Sequence, residues 1–132
     1  MVATNSKKIN LVHTEIILRA DNIVQVNASD HGYSETDIKE VNSAIGELTN
    51  RTRTLVLIVA SNYSDIDSAA RKFLSKPEAA IYSMAEAYVI KSLAQRIIAN
   101  FFIKVSGTPV RTKFFTETEP AIIWLKSLDF NL

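Results

Sequence analysis

Apolar residues recur along this chain with two different periods. Ile38, Val41, Ile45 and Leu48 return at spacings of three, four and three, which is one face of an amphipathic helix. Ser34 stands where an N-cap belongs, and Asp37 puts a carboxylate in the first turn. Gly46 weakens this helix by up to ~1 kcal/mol relative to Ala, and the pattern predicts its end near Thr49-Asn50. Leu55 to Ala60, by contrast, is a short, continuous, β-branched run, so it predicts a strand. Its lack of alternation predicts cover on both faces, as at the centre of a parallel sheet.

The same reading places the other elements. Leu11–Arg19 and Ile23–Asn27 flank Asp21-Asn22, a pair that tolerates the left-handed backbone of tight turns, so a hairpin is expected. Residues 29–33 and 61–67 read as polar loops, and a helix follows from about Asp67 to Leu74 until Pro77 interrupts it. Residues 78–90 are ambiguous between helix and strand. Their early alanines favour a short helix, and a strand at about Ala85–Ile90 would return the chain before the next helix. Ser92 to Val105 runs at helical spacing and is stopped by Gly107 and Pro109; Val110–Phe115 reads as a strand. A last amphipathic helix follows, with Thr116 and Glu119 at capping-box spacing and Pro120 in the first turn. Trp124, with Ile122, Leu125 and Leu128, is expected to pack between that helix and the sheet. Helix, strand and helix joined by short connections imply a single α/β domain whose sheet is partly parallel. About five strands in a mixed sheet are expected, with helices packed against it. Leu55–Ala60 and Val110–Phe115 are expected side by side, sandwiched between helices.

Composition narrows the class. The 132 residues suggest one domain, and a chain of this size buries roughly two-thirds of its unfolded surface, enough for a core without staples. The absence of cysteine excludes disulfides, zinc–thiolate sites and thiol nucleophiles. A net charge of +1, from 15 basic and 14 acidic residues, gives no electrostatic footprint for nucleic acid. Residues 1–8 read as a polar, disordered leader before a domain over 9–132, without the apolar core of a secretory signal. No apolar run approaches the roughly 18 residues of a membrane helix, so no membrane insertion is expected and the cytoplasm is the expected compartment.

Chemistry-bearing patterns are few. His13 and His31 are the only histidines, they lie far apart in sequence, and no further ligands stand at metal-site spacing. No nucleophile elbow surrounds a serine. Gly32, Gly46 and Gly107 are too widely separated for a phosphate-cradling loop. No cofactor, no metal and no catalytic set is therefore expected. The helix from Ser92 carries Leu93, Ile97, Ile98, Phe101, Phe102 and Val105, a stripe wider than a one-sided helix needs. One face should pack on the sheet. The surplus is either further core or a surface for a second copy, a protein partner or a small apolar ligand. The pattern does not say which of Phe101 and Phe102 faces outward. Lys91, Ser92 and Arg96 surround the start of this helix, either as a cap with solvated charges or as an anion site.

The order of these elements resembles the STAS-like fold (sulfate transporter and anti-sigma factor antagonist). The likeness is nearest to small stand-alone bacterial STAS-like domains, which are related to sporulation anti-sigma antagonists and are compared with a class of lipid-binding modules. The residues carrying it are Ala94–Phe102, Pro109–Thr116, the ending Phe115-Thr116 with Ala121-Ile122-Ile123-Trp124-Leu125, and Ile23-Val24 after the hairpin turn. It covers about Thr14 to Leu128. The resemblance implies a regulatory or scaffolding role and no assigned activity; fold alone does not supply function. In anti-sigma antagonists an Asp-Ser pair opens the helix after the central strand, and the serine is phosphorylated. Asp67-Ser68 holds that place here, followed by Ala69-Ala70 where the family pattern has a small residue and Gly. The resemblance thus makes Ser68 a candidate phosphosite, where Asp65 and Asp67 would repel a phosphate. Read from the residues alone, Ser64, Asp65 or Asp67 simply caps a helix.

The expectation is a non-enzymatic cytoplasmic regulatory or protein-interaction domain that self-associates as a homodimer. The candidate regulatory residues are Ser64, Asp65, Asp67 and Ser68, and the candidate interface or ligand residues are Leu93, Arg96, Ile97, Phe101 and Phe102. The alternative is a binder of a small apolar or lipid-like ligand beneath the Ser92–Val105 helix.

Overall fold

The computed structural model describes residues 7–130. In chain order the elements begin with strands β1 (Lys7–Asn10), β2 (Thr14–Leu18), β3 (Val24–Ala28) and the short β4 (Gly32–Tyr33). Helix α1 (Glu35–Leu48), strand β5 (Thr54–Val59), short strand β6 (Asp65–Ile66) and helix α2 (Ser68–Phe73) follow. A 3-10 turn at Pro77–Ala80 leads to β7 (Ser83–Val89), then α3 (Leu93–Phe101) with a π-helical turn at Phe102–Ser106. The chain closes with β8 (Arg111–Phe115) and α4 (Thr118–Ser127). The main sheet has six strands in the order β1-β2-β3-β5-β7-β8, antiparallel from β1 to β3 and parallel from β3 to β8. The α/β class with a mixed sheet and packed helices is thus as expected.

Local chemistry accounts for the elements read most directly. At the hairpin turn Asn22 takes φ 68° and the Asp21 carboxylate accepts the Ile23 amide, so the Asp-Asn pair both bends and satisfies the backbone. At α1 the expected first-turn carboxylate belongs to a complete capping box. Ser34 Oγ accepts from the Asp37 amide at 3.1 Å, and Asp37 Oδ2 accepts from the Ser34 amide at 2.9 Å.

Four expectations change. The leader expected over 1–8 yields at its end: Lys7 and Lys8 pair with Leu18 and Ile17 in β1, while residues 1–6 lie outside the described residues. Backbone pairing outweighs the polar composition there. Leu55–Ala60 and Val110–Phe115 are not neighbours, because β7 lies between β5 and β8. β8 is therefore an edge strand, with Arg111 and Lys113 exposed. The loops at 29–33 and 61–67 are joined through a parallel pairing of β4 with β6. The Thr116–Glu119 capping box does not form: α4 begins one residue too late for Thr116 to be its cap, and Glu117 holds the N-cap position without a side-chain bond.

Helices cover both faces of the sheet. On one face Ala85, Ala87 and Val89 of β7 and Leu57 of β5 meet Ala121 and Leu125 of α4, all buried. Trp124 packs partly buried against this cluster, 5.9 Å from the Phe115 ring. On the opposite face Ile16, Val24, Val26 and Val56 meet Ala44 and Ile45 of α1. The doubly buried Val56-Leu57 step makes β5 central, as its continuous apolar run implies.

Gly46 is fixed by packing rather than by backbone freedom. A Cβ built there would stand 2.5 Å from Cε2 of Tyr82. Gly46→Ala should therefore lower stability by about 1–3 kcal/mol through overpacking, although Ala is the better helix former by about 1 kcal/mol. Urea unfolding checks this. Adding Tyr82→Leu should recover most of the loss, and a stabilised Gly46→Ala protein would contradict the packing argument.

Candidate functional site

Between the sheet and helices α1 and α3 lies a cavity of about 190 Å³, partly open and lined mainly by apolar side chains. Its volume far exceeds the ~10–15 Å³ that one water needs. Val56, Ile58, Tyr88 and Phe114 form its floor, and Ile38, Val41 and Ile45 of α1 form one wall. Ile98, Ala99 and Phe102 of the α3 segment form the roof. The two-residue alternation of β7 explains the division of labour. Ala85, Ala87 and Val89 point to α4, so Glu86, Tyr88 and then Ile90 point the other way, into the cavity.

Gln95 holds the roof in place. Its buried amide Nε2 donates to the Ser61 carbonyl at 2.8 Å and the Ser64 carbonyl at 2.9 Å. Its Oε1 accepts the amides of Lys91 at 2.7 Å and Ser92 at 3.2 Å. Ser92 Oγ accepts the Gln95 amide in return, so Lys91 and Ser92 belong to a capped helix start. The loop that Gln95 grips is itself tied down. Ser64 Oγ donates to the Ser29 carbonyl at 2.6 Å, and Asp30 accepts from Ser61 Oγ and the Tyr63 amide. The Ser61 hydroxyl, followed by the Tyr63 amide, holds the Asp30 carboxyl below the ordinary range.

Glu86 is the charged group on the cavity floor. Its Oε2 accepts from Ser83 Oγ at 2.8 Å, and its Oε1 accepts from the Tyr88 hydroxyl at 3.0 Å. Burial pushes its carboxyl above the ordinary range, and these two hydrogen bonds pull against that rise. The Tyr88 hydroxyl is raised well above its usual value by burial and by the Glu86 charge. The Tyr88 and Phe114 rings stack at 5.2 Å. The strand expected at about Ala85–Ile90 includes Glu86, but that expectation does not say which face Glu86 takes. The usable signal is one acidic residue in the strictly alternating Ser83–Val89.

The residues singled out in the sequence are divided by the structure. Asp67 caps α2 by accepting the Ala70 amide at 2.8 Å, and Ser68 stands exposed at the first helical position. Asp65 is exposed, and Ser64 is engaged in the loop just described. On α3 Leu93 is 65% exposed, Ile97 61% and Phe101 43%, with Ile103 and Val105 also outward, whereas Phe102 is buried. Arg96 is exposed on the same helix. Between Glu86 and Glu117 the only charged residues are basic: Lys91, Arg96, Lys104, Arg111 and Lys113. The outer face of α3 is thus apolar, with Lys91, Arg96 and Lys104 as the exposed charges of its own segment, whereas Arg111 and Lys113 are in register with Ala85 and Ala87 and stand on the α4 side of the sheet.

The two histidines, distant in sequence, stack with ring centroids 3.7 Å apart. His31 Nε2 lies 3.0 Å from Asp37 Oδ2, and the Tyr33 hydroxyl donates to the His13 carbonyl at 2.7 Å. The Ser34 amide, and less strongly His31, hold the Asp37 carboxyl below its ordinary range. This cluster fastens the start of α1 to β2. Among the described residues no group of three or more His, Cys, Asp or Glu gathers to hold a metal ion, and no helix is long and apolar enough to cross a membrane.

The raised Glu86 carboxyl has a sign that can be checked. Its ordinary value is 4.5. Above that value, until the raised native value is passed, the folded state keeps a proton that the unfolded state has lost, so this group's contribution falls as pH rises. Glu86→Gln removes this contribution. The stability of the wild type minus that of Glu86→Gln should therefore decline as pH rises from about 4.5 in urea titrations. The lowered carboxyls of Asp30 and Asp37 act in the opposite direction but cancel in that difference. A difference independent of pH would contradict the partial removal of Glu86 from water.

No curated protein and no solved structure matches this chain. A family model does, over residues 16–129, which takes in most of β2, every element from β3 to α4 and the whole cavity floor. The chain belongs to that family, described as Domain of unknown function (DUF7793).

Proposed function

We propose that this protein is a non-enzymatic regulatory binding domain that takes a small apolar ligand into the cavity beneath α3. The observation that carries this is the cavity itself. It is large, apolar over most of its lining and supplied with a few converging polar groups, which is the usual make-up of a small-molecule site. Support also comes from Gln95, which satisfies four backbone groups and keeps the roof raised without filling the space below. Kinship with STAS-like domains is part of the same proposal, resting on the hairpin, the order of the crossovers and the closing helix.

A second reading rests on the outer face of α3. Leu93, Ile97 and Phe101 stand at i, i+4 and i+8, a ridge of the kind that interdigitates with an identical ridge across a two-fold axis. The occupant on this reading is a second copy of the chain, giving a homodimer. Lys91, Arg96 and Lys104 on the α3 segment of each copy would then repel those of the other.

Native mass spectrometry of freshly purified protein tests the first reading, followed by thermal unfolding with cyclohexanol or indole. A ligand at a hundredfold excess over its Kd adds about 2.7 kcal/mol and should raise Tm by on the order of 10 °C. Ala99→Phe, which fills the roof, should abolish that rise. A bare mass together with an unmoved Tm would end this reading. For the second, light scattering at about 50 μM should show a dimer that Ile97→Asp dissociates. Salt raised from about 50 to about 500 mM should strengthen the dimer by screening Lys91, Arg96 and Lys104 of the two copies from one another. A monomer throughout overturns self-association, and a dimer that salt weakens overturns this placement of the interface.

A further inference from the structure

The walls of the cavity carry an unbalanced set of charges. Its lining includes two carboxylates, Glu86 on the floor and Asp65 at the β4–β6 clasp, and no Lys, Arg or His. Glu86 is built as a receptor. Two hydroxyl donors, Ser83 and Tyr88, hold one bond to each carboxylate oxygen. A carboxylate has about four acceptor positions, so the remaining ones are left for a third group. Glu86 is half-buried and reached from the cavity, and a carboxylate partly removed from water gains from a cation beside it. Opposite Glu86, β5 presents Val56 and β8 presents Thr112, neither of which can pair with it as a cation. The lining residues of α1 and α3 are Ile38, Val41, Asn42, Ile45, Gln95, Ile98 and Ala99, none of them titratable. Tyr33, Asp65 and Tyr88 are the other titratable side chains of the lining, and none supplies a positive charge. The stacked Tyr88 and Phe114 rings add aromatic faces of the kind that attract ammonium groups.

We propose that the ligand of this cavity is a small apolar amine, its ammonium group hydrogen-bonded to the Glu86 carboxylate and its hydrocarbon body lying under Ile98, Ala99 and Phe102. This rests on the reading of the cavity as a ligand site and adds the charge of the ligand. The amine arrives protonated from water. The Glu86 carboxyl, raised by burial, gives up its proton to solvent as the ion pair forms. Binding therefore releases a proton and tightens as pH rises, until the amine itself deprotonates. A neutral ligand of the same shape has no such dependence on Glu86.

Calorimetric titration of the wild type with cyclohexylamine, cyclohexanol and cyclohexanecarboxylate, three probes of nearly one shape, tests the proposal. At about pH 8 the amine should bind at least about tenfold tighter than the alcohol, and the carboxylate should bind weakest. The amine's affinity should climb as pH rises above the ordinary carboxyl range, with a heat that depends on the buffer's ionisation enthalpy. Glu86→Gln should bring the ratio of amine to alcohol affinity to about one. Tyr88→Phe, which removes one of the donors that preorganise the carboxylate, should lower it several-fold. Circular dichroism checks that each variant is folded, and the three-probe comparison on the wild type stands without them. Equal binding of amine and alcohol, or preference for the carboxylate, overturns this proposal while leaving the cavity a ligand site. Failure of all three probes to bind overturns both.

Discussion

The seat of α4 on β7 is the contact on which the layers of this molecule depend. Ala85 and Ala87 present almost no side chain on that face, so Ala121 and Leu125 settle directly onto the strand and are fully buried. A strand whose inner residues are this small can be covered only by a helix that comes close. That closeness fixes β7 between β5 and β8, and alternation then decides the other face. Every residue out of phase with the alanines must point to the far side, so Glu86 and Tyr88 are delivered there together. The polar floor of the cavity is thus a geometric consequence of the dry contact behind it. Moving β7 by one residue would bury Glu86 against α4 and turn its alanines toward the cavity.

The far side is filled unevenly for an equally physical reason. Over β2, β3 and β5, Ile16, Val24, Val26 and Val56 reach up to α1 and fill most of that half of the layer, with Val26 and Val56 also bordering the cavity. Over β7 and β8 the roof is made by the α3 segment, whose inward positions include the short Ala99 and the polar Gln95. Gln95 has its amide committed to the Ser61–Ser64 loop and to its own helix start. It therefore holds α3 at a set height instead of drawing it down. Among the described residues no buried polar side-chain atom lacks a partner, so the space below α3 is not the by-product of an unsatisfied group.

Legibility from sequence followed the range of the forces involved. The hairpin turn at Asp21-Asn22 and the capped start of α1 at Ser34 depend on residues within a few positions of one another, and both were readable. The strand at Ser83–Val89 was harder, since its alanines favour helix locally and only the close seat of α4 makes them strand residues. The strand expected at about Ala85–Ile90 is there, starting two residues earlier, but an expected strand alone does not say which face Glu86 takes, and its meaning depends on that. The adjacency expected for β5 and β8 failed because strand order is set by non-local packing, on which an apolar run is silent. The His13–His31 stack had no sequence signal at all, being made by the paths of two loops. Phe101 and Phe102 illustrate the remaining ambiguity. Neighbours on a helix point about 100° apart, so one must turn out, and the inward row through Gln95, Ala99 and Phe102 decides which.

α3 is where the two surfaces of interest meet. It spans only nine residues, with Ile98 and Ala99 facing the cavity, Phe102 just past its end, and Leu93, Ile97 and Phe101 facing outward. Its two ends are unlike. The first is fixed by the capping box and the Gln95 amide, while the second loosens into a π-helical turn and ends at Gly107, whose φ of 74° suits glycine. A body held at one end and relaxed at the other tilts more readily than it translates. Any ligand that presses on Ala99 and Phe102 acts nearer the relaxed end, where Phe101, Ile103 and Val105 stand exposed. A tilt there would alter the outer ridge without disturbing the Gln95 anchor. By linkage, the free energy with which an occupied cavity favours one tilt is the same by which a partner on that ridge would favour occupancy. The coupling needs no path through the core, because both surfaces belong to one short helix.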